Sequence, residues 1–475
     1  MRMAPQTILK ASVLAIVLAL FLPFISSDIA MPQTERPNKR PNIVFVMTDD
    51  MPENLLHRMP KVDRRIVDEG INFPNAYVSQ SLCCPSRASI LTGMYPHNTG
   101  IWSNSGDHGG VGAFRARGLE ERSVPIWLKA NGYTTGFVGD YLNGYDASYV
   151  PRGWSYWYGR GFGTGRANED GQITSYGNDV EDDTLTSKAL GFLDRATKHA
   201  DDSPFALFVW TQTPHLRAED YAPRYANLYN NEAFNPPPSF NEADVSDKPK
   251  WVRDLPRISA AERAELSELH RNQLRSLRGV DDMVGAMLTL LQKRSALENT
   301  YVVFTTDNGA HMGEHRWWIG RGAYKNTAYE EAAGVPLAVR GPGIPAGQVR
   351  PQLVLNNDFA PTFADIADAP VPQRVDGRSL LPLMNSTPPQ NWRRSVLNEK
   401  LLGPTGYHAL ITKRYSYVEY KKTGEKELYN RRHDPYQLSS IHRTASRALR
   451  DSLRARLAPL KACAGQSCRT SENTP

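Results

Sequence analysis

Asn42-Ile43-Val44-Phe45-Val46-Met47-Thr48-Asp49-Asp50 is the stretch whose reading decides the fold. Its first six residues form a near-continuous apolar run, as expected of a strand buried on both faces in a parallel sheet. The run ends in two adjacent carboxylates. Like charges held together at the end of a buried strand are costly without a cation to share. Open α/β sheets also bind their ligands just past the carboxyl ends of strands. Asp49 and Asp50 are therefore candidate ligands from the outset.

Outward from this strand the chain alternates. Residues Pro60 to Glu69 read as a helix, with Val62, Ile66 and Val67 on one side and Gly70 as its stop. Strand-like runs follow at Thr134–Val138, Phe205–Trp210, Tyr301–Thr306 and Val335–Val339, with helical patterns between them at Val124–Ala130, Asp183–Thr197 and Ser259–Lys293. The alternation predicts an α/β fold with a large, mostly parallel sheet and helices on both faces. The Pro-rich stretch Asn235–Asp254 reads as a surface excursion over the site.

After about Gly377 the pattern changes to short alternating strands at Tyr407–Thr412, Tyr415–Tyr420 and Glu425–Tyr429, then a helix at Ala445–Ala458. A smaller subdomain with an antiparallel sheet and a helix is expected. At the other end, Arg2 and Lys10 precede the apolar run Ala11–Ile25, with Ser26-Ser27 after it. That is the layout of a secretory signal peptide; retention as a membrane anchor is the alternative, although the run is short for a span. The chain thus divides into a signal peptide at 1–30, a catalytic α/β body at 41–376 and a C-terminal subdomain and tail at 377–475. Export is expected, to the periplasm, the cell surface or the medium.

Composition narrows the class. With 475 residues, 40% hydrophobic residues and a formal charge of +6, the chain is globular rather than disordered or fibrous. No basic tract is interleaved with aromatics, so nucleic acid is not an expected partner.

A second buried run, Tyr301–Thr306, ends in Asp307-Asn308-Gly309. Taken alone that triplet is also turn chemistry. Together with Asp49 and Asp50 it offers three carboxylates and an amide, hard oxygen ligands that suit calcium or magnesium rather than zinc. Asp281-Asp282 lies mid-helix and reads as structural. His311 and His315 have the spacing of a metal pair, but Gly313 between them argues for a loop. His97 reads as structural.

Cysteine chemistry supplies the last element. An exported protein ordinarily spends four cysteines on disulfides, and Cys463 and Cys468 are close enough in sequence to bridge each other. Adjacent cysteines rarely pair together. Within Ser81–Gly100, Cys83-Cys84-Pro85-Ser86-Arg87 followed by Leu91-Thr92-Gly93 resembles the C-x-P-S-R…L-T-G motif of type I sulfatases. The resemblance extends through the Asn42-Ile43-Val44 start with Asp49-Asp50, Thr213-Pro214-His215, Gly309–Lys325 and Tyr329-Glu330. It runs from about Pro41 to Ser439. Cys83-Cys84 and Tyr141-Leu142-Asn143 look most like the glucosamine-6-sulfatase branch.

The resemblance implies an alkaline-phosphatase-like α/β/α sandwich. It also implies that a formylglycine-generating enzyme converts Cys83 to formylglycine (3-oxoalanine), whose hydrate attacks the sulfur of a sulfate ester of a sugar or aryl alcohol. The implied ligands of Ca2+, or of Mg2+, are Asp49, Asp50, Asp307, Asn308 and modified Cys83. Arg87 would steady the nucleophile, and with Lys325 it would offset charge on the transferring group. His215 would protonate the leaving oxygen, and His311 is a candidate base for release of sulfate.

One residue departs from the family pattern. Asp140 stands in Gly139-Asp140-Tyr141-Leu142-Asn143 where a lysine is usual. An acid facing an anionic ester repels it unless it points away, is protonated or pairs with a cation such as Arg160 or Arg321. Two alternatives to a sulfatase follow: a phosphonate monoester or phosphodiester hydrolase on the same fold, and a secreted, catalytically silent binding protein.

Overall fold

Alternation along the buried strands builds the molecule in three layers. The computed structural model describes residues 40–176, 181–198, 203–215, 219–322 and 324–475; the expected signal peptide lies outside them. In the strand Asn42–Thr48, successive side chains point to opposite faces of the sheet. Ile43, Phe45 and Met47 pack with Ile90, Leu128 and Phe363 on one side. Val44 and Val46 pack with Leu185, Phe192, Leu274 and Leu288 on the other.

The large sheet has ten strands among the described residues. Its centre is parallel, in the order Thr300–Thr306, Asn42–Thr48, Phe205–Trp210, Thr134–Asp140 and Tyr156–Arg160. The expected strand at Val335–Val339 forms as Leu337–Arg340, but it runs antiparallel to Thr300–Thr306. A parallel neighbour needs a crossover, commonly a helix. The connection before Leu337 carries only the short helices Ile319–Arg321 and Glu330–Ala333, so the chain returns antiparallel.

Two helices show how local sequence sets this frame. The long helix Ala260–Lys293 starts at a capping box, in which Ser259 Oγ accepts the Glu262 N–H and the Glu262 carboxylate accepts the Ser259 N–H. Asp281 in the same helix is structural, as its position suggested. Its Oδ1 accepts the N–H groups of Lys61 (2.7 Å) and Val62 (2.9 Å). The expected helix from Pro60 is α-helical over Pro60–Val62 and π-helical over Asp63–Val67.

The C-terminal part holds a four-stranded antiparallel sheet rather than three expected strands. The extra edge strand, Ser395–Lys400, contains Asn398 and Glu399, which look like loop residues in sequence. They are buried because Asn398 Nδ2 donates to Val78 O at 2.7 Å and Glu399 Oε1 accepts the His97 N–H at 3.0 Å. The helix Arg447–Leu460 covers this sheet through Leu453, Leu457 and Leu460. Cys463 and Cys468 form a disulfide. The Pro-rich stretch is more than a surface excursion. Ser239, Glu242 and Lys248 are buried, and His315 N–H donates to Ser239 O at 2.8 Å.

Candidate active site

The ends of the strands Asn42–Thr48 and Thr300–Thr306 are in register, Thr48 against Thr306, so Asp49 and Asp307 leave the sheet side by side. The loop that follows is tightly set. Asp50 has φ 59°, a left-handed conformation that non-glycine residues seldom adopt. Its N–H donates to Asp307 Oδ1 at 3.2 Å. Carboxylate oxygens of Asp49, Asp50 and Asp307 lie within 4.8 Å of one another, and all three side chains are buried.

A fully buried helix, Cys83–Thr92, points its N-terminus at these acids. It stops at Gly93, which takes the left-handed conformation (φ 72°) and donates its N–H to Ser89 O. Cys83 and Arg87 are four residues apart, on one face of the helix. The Arg87 guanidinium makes four hydrogen bonds among the described residues. Nη2 donates to Asp49 Oδ2 (2.7 Å), Nε to Asp307 Oδ2 (2.8 Å), and Nη1 to the carbonyls of Asp140 (2.7 Å) and Tyr141 (2.9 Å). Its plane also lies over Trp210, 5.6 Å from the ring centroid. Burial opposes the charge on Arg87, but Asp307 and Asp49 outweigh it and hold the guanidinium charged.

Lys325 closes the other side. Its Nζ lies 2.9 Å from Cys83 Sγ and donates to both Asp50 oxygens, at 2.6 and 2.7 Å. Burial would raise the Asp50 pKa, yet Lys325 and then His215 keep it below the usual carboxylate range. Asp49 goes the other way. Burial and the neighbouring Asp307 raise it despite Arg87. Burial, reinforced by Asp49, pushes the Cys83 thiol well up against the pull of Lys325. As a thiol it stays protonated at neutral pH.

His215 stands at the open side, its side chain 10% exposed and its Nε2 3.5 Å from Asp50 Oδ2. Burial lowers its pKa, with Asp50 opposing. Tyr324 was missed in the sequence. Its hydroxyl donates to Asp50 Oδ2 at 2.9 Å and lies 3.3 Å from His215 Nε2. Its place beside Lys325 was the only signal, and an irregular loop carries no periodicity to say which residue faces inward.

His311 belongs to the surrounding framework. Its Nε2 meets Thr327 Oγ1 at 2.8 Å, its N–H donates to Tyr324 O at 2.6 Å, and burial drops its pKa to about 4. No hydrogen bond joins it to Cys83 among the described residues. His315 pairs instead with Glu242, Nδ1 to Oε2 2.6 Å, so the two histidines share no metal-like geometry. His97, expected to be structural, binds Glu399 and the Cys463 carbonyl.

The donor set fits a hard cation. Asn308 Nδ2 donates to Asp50 Oδ1 (2.5 Å), which leaves Asn308 Oδ1 buried and without a partner beside three carboxylates. A buried orphan acceptor is unusual unless something is meant to fill it. Asp49, Asp50, Asp307 and Asn308 could hold Ca2+ or Mg2+ here.

The Asp140 carboxylate is ion-paired with Arg160. Asp140 is the register partner of Arg160 on the adjacent parallel strand, with Oδ1 3.6 Å from Arg160 Nε. Arg160 is held in turn by Glu181, Nη1 to Oε1 3.0 Å. Arg321, the other candidate partner, pairs with Glu262. Only the main-chain carbonyl of Asp140 reaches Arg87.

The chain belongs to the sulfatase family. The Sulfatase family profile matches residues 41–369, and that of the N-sulphoglucosamine sulphohydrolase C-terminal domain matches residues 313–462. The chain is 31% identical to human N-acetylglucosamine-6-sulfatase over 487 residues, covering 91% of this chain and 86% of the human one. It is 35% identical over 374 residues to an extracellular sulfatase SULF-1 homolog of Drosophila melanogaster, covering 76% of this chain. It spans 33% of the length of that fly protein and 55% of its Caenorhabditis elegans counterpart. The solved structure of BT4656 in complex with its substrate D-glucosamine-2-N,6-O-disulfate superposes with a TM-score of 0.78 at 25% identity, covering 92% of this chain and 99% of that one.

Proposed function

We propose that the protein hydrolyses sulfate monoesters of a sulfated amino sugar, with Cys83 matured to formylglycine. The observation that carries this reading is the convergence of Lys325, Asp49 and Arg87 on the Cys83 end of a buried helix. Similarity to N-acetylglucosamine-6-sulfatases and to a glucosamine-disulfate-bound structure supports the substrate class. Similarity to extracellular sulfatases agrees with export, and no helix among the described residues is long and apolar enough to cross a membrane.

Formylglycine would supply the attacking hydroxyl, and Ca2+ (or Mg2+) held by Asp49, Asp50, Asp307, Asn308 and residue 83 would polarise the ester's sulfate oxygens. The rest falls to side chains already in place. Arg87 donates to both Asp49 and Asp307 and so holds the acids in place. Lys325, beside residue 83, offsets charge that builds on the transferring group. His215, at the open side, gives a proton to the leaving alcohol. Tyr324 orients His215 against Asp50. His311 acts through the loop that carries Tyr324 and Lys325.

The test is turnover of 6-O-sulfated glucosamine against a phosphodiester of matched leaving group, with Cys83→Ala as the control. Sulfate release that disappears in Cys83→Ala supports the reading. Phosphodiester turnover without sulfate release favours the phosphodiesterase alternative, and inertness toward both favours the silent binding protein.

A further inference from the structure

His215 is held more by its backbone than by its ring. Its Nε2 has two long contacts, the Tyr324 hydroxyl at 3.3 Å and Asp50 Oδ2 at 3.5 Å, and its Nδ1 is buried with no hydrogen bond among the described residues. The aim of the imidazole therefore depends on the turn that follows the strand Phe205–Trp210. One side of that turn is tied to the acids, because Thr213 O accepts the Asp49 N–H at 3.2 Å. The His215 N–H donates in turn to Gln212 O at 2.8 Å.

The other side is tied to Glu181, the buried first residue of the helix Glu181–Ala196. Its Oε1 accepts the Gln212 N–H at 2.6 Å, and its Oε2 accepts from Thr213 Oγ1 at 3.5 Å. Arg160 steadies the carboxylate, with Nη1 3.0 Å from Oε1, and is itself shared with Asp140. The helix is a firm base, since Leu185, Ala189, Phe192 and Leu193 bury its apolar side in the core. Burial raises the Glu181 pKa to about 7 against the pull of Arg160. Protonated or not, the carboxyl keeps an oxygen that can accept the Gln212 N–H.

We infer that Glu181 is a positioning residue, which, given His215 as the proton donor proposed above, fixes residues 212–215 and so the aim of the imidazole at the leaving oxygen. A proton donor works only within hydrogen-bond reach of its target, and misplacement by about 1 Å costs about 100-fold in rate. Asp140 contributes through Arg160, which it shares with Glu181.

The experiment compares kcat/KM of the full chain on an alkyl sulfate and an aryl sulfate in Glu181→Ala, Glu181→Asp and Glu181→Gln. Glu181→Ala is expected to lose about 10- to 100-fold on the alkyl sulfate, and little on the aryl sulfate, whose phenolate leaves unprotonated. Glu181→Asp, one methylene too short to reach the Gln212 N–H, should show the same split, which keeps the test open if the alanine variant fails to fold. Glu181→Gln keeps an acceptor oxygen at the same reach and should restore the alkyl rate. A purely structural role predicts equal losses on both esters, and equal losses in the folded variants overturn the inference. So does an alkyl rate unaltered in both Glu181→Ala and Glu181→Asp. A crystal structure of folded Glu181→Ala reads the positioning without turnover. The imidazole should leave its place beside Asp50, and an unmoved imidazole overturns the inference whatever the protein hydrolyses. A His215→Ala loss equal on both esters overturns the donor reading alone.

Discussion

Asp140 Oδ1 lies 3.6 Å from Arg160 Nε across two paired parallel strands, and both side chains are buried. The Asp140 charge is thus balanced by a buried neighbour. Removing one partner of a buried ion pair strands the other, at a cost of about 3–5 kcal/mol. Arg160→Met strands both Asp140 and Glu181 and is expected in that range by urea denaturation. Asp140→Asn, which leaves the Glu181 contact intact, should cost less. Equal stabilities of Arg160→Met and the parent would show that the cluster does not depend on its guanidinium.

Lys325 and His215 should separate by leaving group. Lys325→Ala is expected to lower kcat/KM by about 100-fold or more on any sulfate ester, as loss of a charge-stabilising group does. His215→Ala should lose about 100- to 10,000-fold on an alkyl sulfate, but little on an aryl sulfate whose phenolate leaves unprotonated. A His215→Ala loss independent of the leaving group would remove it from the proton-donor role.

Chelation should abolish turnover and Ca2+ should restore it. Asn308→Ala removes the orphan amide oxygen and should raise the Ca2+ concentration needed for half-restoration. Full activity in a metal-free preparation, verified by elemental analysis, would contradict the cation reading.

His97 provides a pH test away from the chemistry. Burial lowers its pKa, but the hydrogen bond and charge of Glu399 outweigh burial and the net shift is upward. A folded pKa above the unfolded value of about 6.5 means stabilisation that is fully present below pH 6.5 and lost as pH rises through the folded pKa. The stability gap between parent and His97→Gln should therefore be widest below about pH 6.5 and narrow as pH rises through the folded pKa. A gap that widens with pH would contradict the pairing.

Much of the frame was legible because the central strands are apolar on both faces and the long helix carries its own cap at Ser259. Phe205–Trp210 and Tyr407–Thr412 form over the expected residues. What escaped were elements whose state depends on distant partners. The strand Ser395–Lys400 is polar in sequence and buried through its bonds to Val78 and His97. The antiparallel sense of Leu337–Arg340 depends on what its connection lacks. In the site, Asp49, Asp50, Cys83 and Lys325 were readable from motif and strand-end position. Tyr324 sits in a loop with no period, and the direction of the Asp140 side chain depends on strand register with Arg160.

The most direct measurement is the mass of the proteolytic peptide containing Cys83, taken from protein made in its native host. The expected result is replacement of the thiol by an aldehyde, together with sulfate turnover that is lost in Cys83→Ala. A peptide carrying the unmodified thiol in protein that still turned over sulfate esters would contradict the central claim.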